Sequence, residues 1–162
     1  MTSASDGREQ LLRFVERFAI VLSDTGMARM PARVFAYALV DDADRYTATE
    51  LAEALRVSPA AISTAVRDLV QAGLLGKQRE PGDRTDTYVL FDGDIWSEIY
   101  LKREGLIEPF ERIAAEGVAL FGRDRPGGRR LAETAAFFTF MRKEMPALMD
   151  RWRDYRRTVL PE

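Results

Sequence analysis

Apolar residues recur at three- and four-residue steps from early in the chain. Leu11, Val15, Phe18 and Leu22 form one stripe, widened by Phe14 and Val21, and predict an amphipathic helix over 9–23 that stops near Gly26. Pro31 suits the first turn of a second helix, with Val34, Phe35, Ala38 and Leu39 on one face, and the polar stretch 41–45 ends it. Thr47 and Glu50 then match a capping box, in which hydroxyl and carboxylate satisfy backbone N–H groups at a helix start. A short helix through Leu51, Ala52 and Leu55 follows. Arg56-Val57-Ser58 is long enough only for a tight turn, and Ser58 before Pro59 marks another helix start. Two helices joined so closely make a helix-turn-helix.

The second of these helices turns Ile62, Val66, Leu69 and Val70 to one side and ends at Gly73-Leu74, a pattern for a left-handed cap. Its other side carries Ala60, Thr64, Arg67 and Gln71, with Ser63 at the margin. Small residues near the start of that face let a helix approach a groove closely. Hydroxyl, amide and guanidinium groups farther on suit base edges and phosphates. Two extended segments over 75–79 and 85–91 flank Glu80-Pro81-Gly82-Asp83-Arg84, whose Pro-Gly pair signals a turn. The hairpin is a wing, made basic by Lys77, Arg79 and Arg84.

The remainder reads as helices. One stretch keeps helical spacing through Trp96, Ile99, Tyr100, Ile107, Phe110, Ile113, Ala114 and Val118, with Pro109 expected to kink or divide it. After a loop over 121–128, apolar residues repeat through Leu131, Ala135, Phe138, Met141, Met145, Leu148, Trp152 and Tyr155, and Pro146 is expected to kink this stretch or begin a new helix. The expected fold is mostly α with a small β-hairpin wing. Residues 1–8 are expected to be a disordered tail, 9–92 a winged helix whose first helix is shared with a dimer interface, and 93–162 a helical dimerisation region.

Composition narrows the chemistry. At 162 residues, with 46% hydrophobic and 31% charged positions, the chain is that of a globular protein. It contains no apolar run long enough for a bilayer, and its polar first residues do not resemble a secretion signal, so a cytoplasmic location without membrane attachment is expected. The absence of Cys and His excludes disulfides, thiol chemistry and the usual zinc ligands, and removes the commonest general base. No cofactor is implied, and no residue set for an enzyme stands out. A net charge of −2 makes duplex binding depend on a local basic surface. Lys77, Lys102 and Lys143 are the only lysines, every other basic residue being Arg.

Several residues admit plainer readings. Arg67 would otherwise pair with Asp68 or Glu53, and Arg84 with Asp83 or Asp86. Arg29 and Arg33 either touch phosphates or face solvent, and solvent is preferred. Phe137, Phe138, Phe140, Trp152 and Tyr155 would line an effector pocket or, preferably, pack a core and dimer contact. The closing run 151–157 reads as a solvated helix with Trp152 and Tyr155 inward rather than as a nucleic-acid patch.

The segment from Thr47 to Leu55, then Val57-Ser58-Pro59-Ala60-Ala61-Ile62-Ser63, Leu69 with Gly73-Leu74-Leu75, and Gly82-Asp83-Arg84 before Tyr88, resembles the MarR-type winged-helix regulators. The helix layout on either side resembles the GbsR-like branch. The resemblance implies a homodimer with interlocking first and last helices, bound to a pseudo-palindromic duplex DNA site and acting as a repressor that responds to a small-molecule effector. It assigns Ser58, Ala60, Ser63, Thr64 and Arg67 to the recognition helix, and Arg79 and Arg84 to the wing. The chain departs from the pattern in that Glu50, Glu53, Asp68, Glu80, Asp83 and Asp86 offset Arg56, Arg67, Lys77, Arg79 and Arg84. That balance keeps a second expectation open, a protein-interaction module on a winged helix that no longer binds DNA.

Overall fold

The structure, a computed structural model, describes residues 4–82, 84–90, 93–105 and 107–160. They divide into two compact units, Met1–Ile95 and Trp96–Glu162. The first contains α1 (Ala4–Asp24), α2 (Arg29–Val40), β1 (Arg45–Thr47), α3 (Ala48–Leu55), α4 (Pro59–Gln71), β2 (Gly76–Gln78) and β3 (Thr87–Val89). The second is helical, with α5 (Ile95–Glu104), whose first residue closes unit one, α6 (Ile107–Phe121) and α7 (Pro126–Val159).

Helix α1 starts at Ala4, so residues 4–8, expected as a tail, are helical instead. Composition misleads here because a polar first turn needs only a continuing helix behind it. Val15 and Ala19 on α1 are buried, as are Val34, Phe35 and Ala38 on α2, and these two helices pack together. Helix α4 lies against both α2 and α3, and Ile62, Ala65, Val66 and Leu69 vanish into the core beside Leu51 and Leu55. Each such aliphatic side chain contributes about 1.5–3 kcal/mol by leaving water.

Arg33 corrects the expectation of a solvated residue. Its guanidinium donates through Nε to Glu16 Oε1 at 2.5 Å and through a terminal nitrogen to the Leu55 carbonyl at 3.3 Å. One half-buried cation therefore ties α1, α2 and α3 together. Arg29 reaches the other oxygen of Glu16 at 3.3 Å but stays largely in solvent.

The sheet has the order β1-β3-β2 and is antiparallel throughout. β1 was not expected, since three residues are too few to display alternation. It exists because Tyr46, opposite Tyr88 in the ladder, is buried. The Tyr46 hydroxyl lies 2.5 Å from the Ala43 carbonyl and 3.1 Å from Asp41 Oδ2, and Tyr37 donates to Asp41 Oδ1 at 3.1 Å. Burial, reinforced by the Asp41 carboxylate, pushes the Tyr37 phenol up to about 12 and raises that of Tyr46 as well, which keeps both as donors.

In the second unit α6 and α7 form a helical hairpin. The break before α6 falls near Gly105, upstream of Pro109. Pro109 instead occupies the first turn of α6, where its missing N–H costs nothing. α7 runs unbroken through Pro146, which cannot donate to the Arg142 carbonyl one turn earlier. Close approach of the loop and α7 depends on Gly128, where a Cβ would stand 1.6 Å from the Gly122 carbonyl oxygen. Phe110 and Phe138 stack with ring centres 5.1 Å apart. Phe137, Phe140 and Tyr155 are exposed, so this unit does not bury them as a core, and the expected inward position of Tyr155 is not found. No helix among the described residues is long and apolar enough to cross a membrane.

The hairpin is clamped by Glu111, which accepts from Arg142 Nε at 2.7 Å, from an Arg142 terminal nitrogen at 3.1 Å and from the Thr139 hydroxyl at 2.7 Å. The Arg142 bonds, then the Thr139 bond, bring the Glu111 carboxyl from its ordinary 4.5 down to about 2. A depressed carboxyl stabilises the fold fully above its unfolded value and progressively less as pH falls toward its folded value. Thermal melts should therefore show the advantage of the native chain over Glu111→Gln shrinking between pH 4.5 and about 2 and constant above that window.

Candidate nucleic-acid interface

The helix-turn-helix is built by local capping. Thr47, the last residue of β1, accepts from the Glu50 N–H at 3.2 Å, while Glu50 accepts from the Thr47 N–H at 2.7 Å. The Thr47 N–H bond foremost, then a bond from the Thr47 hydroxyl to Glu50 Oε2 at 2.9 Å, holds the Glu50 carboxyl below its usual range. The same residue thus ends a strand of the wing sheet and starts the first helix of the motif. α3 ends on Arg56 in the left-handed region, with φ +55°, and Val57 N–H returns to the Ala52 carbonyl at 3.0 Å. Ser58 Oγ accepts from the Ala61 N–H at 3.3 Å to start α4. At the far end Gly73, φ +71°, closes a Schellman motif, with Gly73 N–H to Val70 O at 3.0 Å and Leu74 N–H to Leu69 O at 2.9 Å.

With the inner stripe of α4 buried, its opposite face is open. Ser58, Ala60, Ser63, Thr64, Arg67 and Gln71 are all exposed. Ser58 spends an oxygen lone pair on the cap but keeps its proton for an outside acceptor. The face is smooth from Ala60 to Thr64 and polar beyond.

The wing strands are shorter than expected, three residues each, and the turn between them passes through Gly82 at φ +98°. Asp83 and Phe91 lie outside the described residues. Lys77, Arg79 and Arg84 are exposed, as expected of a wing. Two of them are engaged: Asp86 receives Lys77 Nζ at 2.8 Å and an Arg79 terminal nitrogen at 2.6 Å. Lys77 first, then Arg79, draw the Asp86 carboxyl below its usual range. Arg45 on β1 reaches Glu80 at 3.6 Å. Among the described residues, Arg56, Arg67 and Arg84 take part in no ion pair, so Arg67 pairs with neither Asp68 nor Glu53, and Asp86 is held by Lys77 and Arg79 rather than by Arg84.

Sequence reasoning missed Arg33, the Asp41 cluster and the role of Asp86. Only the last left a readable signal. In a hairpin where Gln78 faces Thr87, the next pair outward is Arg79 and Asp86.

A tightly turned helix pair, an open second helix and a basic three-stranded wing define a winged helix-turn-helix of the MarR type. A MarR family model matches residues 26–84, and a model of MmpR5-like MarR family transcriptional regulators matches residues 94–155. Over both stretches the chain is accordingly similar to transcriptional regulators of the MarR family. Over 157 residues it is 27% identical to the HTH-type transcriptional regulator MmpR5 of Mycobacterium tuberculosis, covering 93% of this chain and 94% of that protein. A crystal structure described as that of a transcriptional regulator is also similar, with a TM-score of 0.77 and 25% identity over 90% of this chain and 99% of its own. These relatives and the fold are those of regulators rather than enzymes.

The left-handed Arg56 is a strained point in the turn of the motif, since an L side chain with a Cβ disfavours that region. Relief of that strain outweighs the greater freedom glycine has when unfolded. Arg56→Gly is expected to raise unfolding free energy by about 0.5–1 kcal/mol, read from the midpoint of urea denaturation at unchanged slope.

Proposed function

We propose that the chain binds duplex DNA as a homodimer at a pseudo-palindromic site and represses transcription there. The observation that carries this reading is the open face of α4, on which Ala60, Ser63, Thr64 and Arg67 are exposed together and Arg67 lacks an ion-pair partner among the described residues. α4 enters the major groove, its small residues allowing close approach and Arg67 reaching a base edge or phosphate. Ser58 supports the same approach at the helix start. Arg84 at the wing turn meets the flanking backbone or minor groove, with Lys77 and Arg79 behind it.

Exposed apolar residues support the dimer. Phe14, Ile20 and Val21 on α1, Phe110, Ile113 and Leu120 on α6, and Phe137, Phe140 and Leu148 on α7 are open in the single chain. Apolar surface on that scale marks an association face. Two linked heads bind tightly only when both fit at once, so a small-molecule effector that changes their spacing would release DNA. The protein works in the cytoplasm, in contact with the chromosome. Placement in the GbsR-like branch is a proposal from helix layout, beside the MmpR5-like match over the second unit.

The second reading, a protein-interaction module, draws on the acids that occupy the wing cations. Footprinting on the chain's own upstream region across salt concentrations separates the two. Protection of a palindrome, with affinity falling steeply as salt rises, is expected. Arg67→Ala should weaken binding to that site by about 1–3 kcal/mol and relax selectivity at one position in each half. Salt-insensitive association with another protein, and no protected sequence, would favour the module.

A further inference from the structure

Three charged side chains share one face of the wing. β2 and β3 pair with Gly76 opposite Val89, Lys77 opposite Tyr88 and Gln78 opposite Thr87, a register that sets Arg79 across from Asp86. Alternate residues of a strand point to the same side, so Lys77 and Arg79 both meet the Asp86 carboxylate. Each of its oxygens is taken: Oδ2 by Lys77 Nζ at 2.8 Å, and Oδ1 by Arg79 at 2.7 Å from Nε and 2.6 Å from the terminal nitrogen. The acid is the most sheltered of the three, its side chain 21% exposed against 48% for Lys77 and 58% for Arg79. One net positive charge remains where two cations stand.

We propose that Asp86 is a specificity-determining residue of the wing, which holds Lys77 and Arg79 on the ribbon and so withholds them from DNA phosphates. The inference rests on the DNA-binding reading and says how that surface is tuned. Sequence-independent affinity follows the number of phosphates that cations neutralise. Base-edge contacts carry sequence information and phosphate contacts do not. Engaging two wing cations internally therefore lowers attraction to every duplex, while Arg67 and Ser63 on α4 are untouched. Discrimination between the operator and other DNA rises as a result. The arrangement also accounts for acids on a surface whose function calls for positive charge.

The test uses the full chain carrying Asp86→Asn, which keeps the side chain's shape and removes its charge. Binding is measured on the footprinted duplex and on an unrelated duplex of equal length, from about 50 to about 200 mM salt. The unrelated duplex should bind about three- to tenfold tighter at the low end, and the slope of log affinity against log salt should steepen by about 1–2 for each reading head. The ratio of specific to unrelated affinity should fall. Adding Lys77→Gln and Arg79→Gln to Asp86→Asn should cancel the extra slope. Unchanged slope and ratio in Asp86→Asn would overturn the inference, as would weaker binding to both duplexes, which would make Asp86 a scaffold of the wing. If the native chain bound neither duplex at any salt concentration, the DNA-binding reading itself would fail, an outcome distinct from either.

Discussion

The burial of one stripe of α4 is the constraint on which the first unit depends. Ile62, Ala65, Val66 and Leu69 are withdrawn from water against a core that includes Phe35, Leu51 and Leu55. A helix with its apolar stripe so committed has a single orientation about its own axis. Ser63, Thr64 and Arg67 are thereby aimed outward, with no side-chain bond to another described residue to hold them. The caps at Thr47 and Ser58 set where the two helices of the motif begin, and the Arg33 bonds to Glu16 and Leu55 brace the platform behind them.

Electrostatics works in two layers over that platform. Arg45, Lys77 and Arg79 face acids on their own sheet or its turn, whereas Arg56, Arg67 and Arg84 have no ion-pair partner among the described residues. A simple sum of charges over the reading head conceals this division. The sum is near neutral because acids sit beside particular cations, not because positive charge is lacking where α4 and the wing turn face outward. Exposed ion pairs contribute little to stability, about 0–1 kcal/mol, so the effect of the wing pairs lies in the charge they remove from the surface.

The second unit is organised differently. Few of its described side chains are fully buried, Ile99 and Ala114 among them, while aromatic residues along α6 and α7 remain open. The hairpin holds through the Glu111 clamp, the Phe110–Phe138 stack and the backbone approach that Gly128 permits. The apolar positions that recur along α7 in the sequence thus stay largely open in the single chain.

Elements whose cause is local could be read from the residues alone. The capping box at Thr47 and Glu50, the Ser58-Pro59 start, the Gly73 stop and the 3.6-residue stripe of α4 each follow from neighbours within a turn or two, so both the helix-turn-helix and its outer face were legible. What depended on distant partners was not. β1 exists because Tyr46 finds Tyr88 across the ladder and Asp41 in the preceding turn; Arg33 is half-buried because Glu16 and Leu55 arrive from other helices; and Lys77 and Arg79 are engaged because the hairpin register delivers Asp86. Short-range chemistry chose which side chains face outward, and only the folded chain decided which of their charges stay unpaired, because an ion pair forms where two strands or helices meet and not where their residues stand in the chain.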